Sequence, residues 1–248
     1  MLARLQRFTT LGLLALAALW ALFAWRAGHV AWGLAGALLI VFSYALVLAL
    51  EFALLRIAHG DDTTPRAAPR QLLSAWWGEV RAAPLVFCWR QPFRSQRWPD
   101  HLPADARGRR GVLLVHGFVC NRGLWNEWLE RLHERGVPCV AVNLEPVFGS
   151  IDDYAAIIEA EVQRLESATG LAPVIVAHSM GGLALRRWWS DVGNKDRVHH
   201  AVTIGTPHAG TWLARFALTP NGRQMQQRSA WLQAIAQSEP AGQSARFT

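Results

Sequence analysis

Residues 174–189 read VIVAHSMGGLALRRWW. A short β-branched run gives way at Ser179 to glycines and then to a helical pattern. The five residues Ala-His-Ser-Met-Gly are close to G-x-S-x-G, a sharp turn that lifts a serine Oγ clear of a sheet. Ala177 and Gly181 flank the serine by two residues on each side, where strand and helix backbones crowd together. Gly182 adds further room, and Ala177 replaces glycine with the next smallest residue. A serine displayed this way can attack an acyl carbon. The pattern by itself also fits an ordinary serine at a strand-to-helix turn.

Two other stretches add to it. LLVHGF, at residues 113–118, places His116 and Gly117 just beyond an apolar run. Gly117 allows a tight turn there. The backbone amide of Phe118 can then share an oxyanion with the amide of Met180. IGTPHAGT, at residues 204–211, again follows a strand-like run. His178 is in the elbow itself, but successive strand residues point to opposite faces, so a packed role suits it better than that of a base.

These landmarks need a scaffold, and the chain from Gly111 onward alternates in the right way. GVLLVH, VPCVAVNL, APVIVAH and VHHAVTIG are short β-branched runs. Between them are helical patterns over residues 124–136, from Asp152 and Asp153 to about residue 167, and through MGGLALRRWWSD. Such alternation predicts an α/β fold with a mostly parallel sheet and helices on its faces. All three landmarks then fall at the carboxyl ends of strands, where open α/β sheets place their sites.

LLVHGF, VAHSMGG and TIGTPHAGT together resemble the α/β-hydrolase fold, and more narrowly the bacterial triacylglycerol lipases and related esterases. The resemblance covers about residues 111–211 and is weaker to residue 247. It implies that Ser179 is the nucleophile and that Phe118 and Met180 supply oxyanion amides. His116, Gly117 and Gly181 then shape the site, and no cofactor or metal is implied.

A serine nucleophile needs a base and an orienting acid. After Ser179 the histidines are His199, His200 and His208, and the acids are Asp191, Asp196 and Glu239. Asp191, Asp196, His199 and His200 fall at the far end of a helix and the start of a strand, the wrong edge of the sheet. His208 is at the correct edge but in a turn that the resemblance makes structural. In the family the acid follows the next strand and the histidine lies later. SARFT, at residues 244–248, reads as the start of such a strand. The expectation is a sheet truncated at residue 248, with neither triad partner in the chain and residues 198–205 left as an open edge. Residues 212–236 mix apolar and basic positions at helical spacing, as a lid or a surface helix would.

The first third of the chain is different. Residues 8–25 and 30–50 carry no charge, and each is about long enough to cross a bilayer core, which takes ~20 residues. The prediction is a transmembrane helical hairpin over residues 1–56, in preference to a signal peptide. Arg4 and Arg7 precede it, Arg56, Arg66 and Arg70 follow it, and the connection holds only Arg26 with His29. The positive-inside rule puts both termini and everything after residue 56 on the cytoplasmic side, as in a multi-pass inner-membrane protein. Residues 57–110 read as a linker and juxtamembrane lead-in, with a Trp-bearing helix near residues 72–82. Residues 111–248 are the hydrolase core.

Composition sets outer bounds. The net charge is +7, but the arginines are scattered and form no basic stripe, which argues against nucleic acid. Cys88, Cys120 and Cys139 form neither a disulfide framework nor a metal pair. There is no H-E-x-x-H, P-loop or G-x-G-x-x-G. The expected function is a membrane-anchored serine hydrolase that cleaves an apolar ester or acyl lipid through an acyl-enzyme on Ser179. Its partners would then be that substrate and membrane lipids. The alternative is a non-catalytic hydrolase-like membrane protein that binds a lipid or protein. Nothing in the sequence fixes an oligomeric state.

Overall fold

The computed structural model describes residues 1–57, 66–239 and 248. Residues 58–65 of the expected linker and residues 244–247 of the expected last strand lie outside the described residues. The chain divides into two compact units, Ala3–Phe93 and Arg94–Thr248 with Met1–Leu2.

The first unit is all helix. Helices α1 (Leu2–Arg26) and α2 (Val30–Ile57) are joined by a tight turn in which Gly28 takes φ +79°. The Trp20 indole donates to the Trp32 carbonyl (3.1 Å) and fills the space a side chain at Gly36 would need. Both helices are long and apolar enough to cross a membrane by length and composition. Helix α3 (Pro69–Ala83) opens on a proline, whose missing N–H costs nothing at a first turn. Its α-helical winding ends at Ala83, close to the expected residue 82, but the chain stays helical beyond it. Pro84 cannot donate back into the preceding turn, and the winding widens there to a π-helix over Pro84–Arg90 before α4 (Gln91–Phe93). Tyr44 Oη donates to the Val80 carbonyl (2.9 Å) and Trp76 Nε1 to the Ala45 carbonyl (3.0 Å), fastening α3 to α2.

The second unit is a parallel sheet with helices on both faces. Strands β1 (Val112–Val115), β2 (Cys139–Ala141), β3 (Val174–His178) and β4 (His200–Ile204) lie in the order β2-β1-β3-β4, all parallel. Leu113, Val115, Ile175 and Ala177 pack with α6 (Tyr154–Thr169) and α7 (Met180–Val192). The alternate residues Leu114 and Val176 pack with Trp125 and Leu129, the latter on α5 (Asn126–Glu134). The period of two places apolar side chains on both faces, so these strands read as unbroken apolar runs. Local chemistry sets the helix ends. Asn121 and Ser150 cap the 3-10 turns that lead into α5 and α6, and Gly136 and Gly170 take positive φ just beyond them.

Residues 212–236 do not form one helix. They make a 3-10 turn (Trp212–Phe216), α8 (Pro220–Gln224) and most of α9 (Ala230–Ser238). Pro220 can begin a helix but not continue one, and Arg228 at φ +57° interrupts the chain before α9. Ala214, Met225 and Leu232 join the core, while Leu213, Phe216 and Leu218 are 48%, 68% and 85% exposed. The free edge of β4 is not bare. Thr248 donates its N–H to the Ala201 carbonyl (2.9 Å) and accepts from the Thr203 N–H (2.8 Å).

Candidate active site

The strand order creates a switch point. From β1 the chain crosses to β2 on one side, and from β3 it crosses to β4 on the other. The carboxyl ends of β1 and β3 therefore flank the crevice where such sheets hold ligands. Residues 116–119 leave β1 there, and Ser179 leaves β3 there.

Ser179 has φ +52° and ψ −126°, a conformation that a non-glycine residue adopts only under constraint. The constraints are visible. Its N–H donates to the Ile204 carbonyl (2.8 Å), and its carbonyl accepts from Thr206 Oγ1 (2.9 Å) and the Gly182 N–H (3.0 Å). A Cβ at Gly181 would meet the His116 and Val115 carbonyls at 2.5 and 2.8 Å, and one at Gly182 would collide with the Thr206 hydroxyl. A Cβ at Gly117 would come within 2.8 Å of the Ser179 Cβ. The three glycines thus let β1, β3 and α7 close on the serine. Met180 is the first residue of α7, so its amide is one of the N–H groups that a helix start leaves unused by its own turns.

The loop after β1 is held at both ends. Phe118 is followed by Val119 at φ +52°, a second non-glycine residue in the left-handed region and a β-branched one. At the far end the buried Arg122 guanidinium binds Asp100 (2.8 Å), the Trp98 carbonyl (3.0 Å) and Gln96 (3.3 Å), while its N–H donates to Asn143 (3.0 Å). Sequence reading missed Arg122, Asp100, Asn143 and Thr206. Their partners are distant in sequence, and no local pattern marks them.

His116 has no role as a base here. Its Nδ1 lies 2.9 Å from the Gly117 carbonyl and its Nε2 accepts from the Leu144 N–H (3.0 Å), which fixes a neutral tautomer. Burial lowers its pKa to about 4, against the pull of the Gly117 carbonyl. His208 places Nε2 3.1 Å from Thr203 Oγ1, and its carbonyl accepts from Arg186 (2.9 Å). Burial lowers its pKa too, helped by the Arg186 charge and opposed by Glu239. Asp191 lies in the last turn of α7 and His200 begins β4, while Ser179 bonds to Ile204 at the other end of that strand. Among the described residues no group of three or more His, Cys, Asp or Glu side chains is placed to hold a metal ion.

The fold has solved counterparts. The mature form of the Bacillus licheniformis lipase BlEst2 aligns over 59% of this chain and 66% of its own, with 17% identity and a TM-score of 0.50. Aspergillus fumigatus lipase B aligns over 58% of this chain and 38% of its own (18% identity, TM-score 0.48). The Legionella pneumophila phospholipase PlaB aligns over 53% and 35% (17% identity, TM-score 0.45). The chain therefore spans less than two thirds of the length of each. No curated protein matches it by sequence. The family model for the alpha/beta hydrolase family matches residues 112–247, more than half of the chain, and the chain belongs to that family.

Proposed function

We propose that this hydrolase cleaves carboxylic esters through an acyl-enzyme on Ser179. Ser179 Oγ attacks the carbonyl carbon, its proton passes to a base, and the alcohol leaves. Water then releases the acid and restores the serine. The amides of Phe118 and Met180 stabilise the oxyanion, and His116, Gly117 and Gly181 hold those amides against the serine. We assign no residue as the base, because both ring nitrogens of His116 and Nε2 of His208 are engaged elsewhere. The observation that carries this reading is the left-handed Ser179 at the end of β3, in the crevice beside the β1 loop.

The substrate we propose is an apolar ester or acyl lipid. The exposed Leu213, Phe216 and Leu218 support it, since large apolar side chains left in the open on one short segment suit an apolar ligand. The structure named a lipase is a precedent for ester chemistry on this fold. We further propose that α1 and α2 span a membrane as a hairpin. The arginine asymmetry around that hairpin supports placing the hydrolase unit on the cytoplasmic side.

The deciding experiment is turnover of an acetyl ester by the natural full-length protein and its Ser179→Ala variant. Loss of turnover with the fold retained is expected, and surviving turnover sinks the assignment of the nucleophile. A periplasm-only reporter that is active when fused after residue 56 would overturn the cytoplasmic side.

A further inference from the structure

The turn after β2 is fastened more heavily than a link between a strand and a helix requires. Tyr154 Oη donates to the Pro146 carbonyl (2.8 Å), Asn221 Nδ2 to the Val147 carbonyl (2.8 Å) and the Asn221 N–H to the Gly149 carbonyl (3.1 Å). The Gly149 N–H closes back on the Pro146 carbonyl (3.0 Å). Asn221 and Tyr154 are both fully buried and lie 3.2 Å apart, Nδ2 to Oη. A buried asparagine is tolerated only when its polar atoms are matched, and here Nδ2 is matched by this turn while Oδ1 accepts from the Gly222 N–H (2.9 Å).

What the rigid turn displays is Phe148. Its side chain is 38% exposed, and its ring stands edge-on to that of Phe118, with centroids 6.0 Å apart and planes at 72°. Phe118 adjoins Gly117, whose backbone lies against the Ser179 Cβ. An aromatic pair is thus held at the loop whose Phe118 amide is the oxyanion donor proposed above.

We propose that Phe148 is a specificity-determining residue of this site, forming with Phe118 an apolar wall for the acyl chain, and that Asn221 is the positioning residue that holds it there. This rests on the reading of Ser179 as nucleophile and of Phe118 as oxyanion donor. With the carbonyl oxygen on the Phe118 amide, the first methylenes of a long acyl chain lie within reach of the two rings. An acetyl group is too short to bury surface there. The wall therefore favours long chains over short ones without touching the bond that breaks.

The test uses the full-length protein in detergent micelles with p-nitrophenyl acetate and p-nitrophenyl dodecanoate. In Phe148→Ala the dodecanoyl-over-acetyl ratio of kcat/KM falls by ~10-fold, the scale of a few lost apolar contacts. Phe148→Leu, which keeps apolar bulk, retains most of the ratio. Asn221→Ala lowers it in the same direction, and the double variant falls no further than Phe148→Ala, because both act through one wall. Loss of the buried Asn221 can unfold its segment, so the surface variants at position 148 decide the matter. An unchanged ratio in Phe148→Ala with acetate turnover intact overturns the proposal. Acetate turnover that survives Ser179→Ala is a different failure, that of the nucleophile.

Discussion

Leu38 on α2 is 58% exposed, and Leu113 on β1 is fully buried. The two units are built from similar apolar residues, yet the α/β unit encloses them and the helical unit turns many of them outward. Phe8, Trp32 and Leu46 are 77%, 72% and 62% exposed, whereas Trp188, Trp189 and Tyr154 are almost wholly enclosed. In the sheet, helices cover both faces, so water is excluded by the chain itself. Along α1 and α2 these side chains are left exposed, and the membrane hairpin proposed above would cover them. Apolar content alone does not separate the two cases. The period does, because a run of two helices apolar on every side has no face left for water.

The comparison breaks most visibly at the site. Ser179→Ala should cut ester turnover by up to ~10⁶-fold, the scale seen when a nucleophile is removed. Trp32→Ala on the exposed surface of α2 should leave kcat/KM within about twofold. Comparable losses from both would show that the chemistry is not confined to the α/β unit. The next test is packing. Leu113→Ala should destabilise the α/β unit by ~3 kcal/mol, and Leu38→Ala should shift its denaturant midpoint by less than ~0.5 kcal/mol equivalent. Equal shifts would mean that the two units unfold together.

Acid sharpens the contrast further. Folded His116 takes up a proton only near pH 4, because burial disfavours its charged form, while the unfolded chain does so near 6.5. Between those values the unfolded state holds more protons, so unfolding free energy rises with pH. The stability is fully present above pH 6.5 and is lost on acidification toward pH 4, by about 3 kcal/mol from this group. Chemical denaturation across that window should show the slope, and His116→Gln should flatten it. A smaller loss than either His116 or Leu113 gives is expected at a helix start. Ser150 accepts from the Asp152 N–H and is bonded by Gln224, so Ser150→Ala should cost ~1 kcal/mol in thermal unfolding.

Much of this architecture was legible in the sequence because its causes are local. The four strands, the helices between them and the elbow at Ser179 follow from β-branched runs, capping residues and small residues at fixed offsets. Pro220 is a local mark as well, but the reading of residues 212–236 by helical spacing passed over it, and the break there was not foreseen. The rest was not legible because its causes are distant. Arg122 reaches back 22 residues to Asp100, and Asn221 reaches back 74 to Val147. Either side chain, read alone, is an ordinary polar residue. The role proposed for Phe148 is hidden for the same reason, since the frame that displays it is assembled from α6 and α8.

Gly182 and Thr206 compete for one volume. The Thr206 hydroxyl occupies the place a Cβ at position 182 would take, and that hydroxyl is also a donor to the Ser179 carbonyl. The two positions are therefore not free to vary independently. An alanine at 182 becomes tolerable only when the whole side chain at 206 gives way, because its Cγ2 and Cβ would also stand at 2.6 and 2.9 Å, and losing the hydroxyl releases one restraint on the left-handed serine. Genetic drift at either position is constrained by the other, and the constraint should appear across relatives as paired substitution, with strain at Ser179 as the property selection sees.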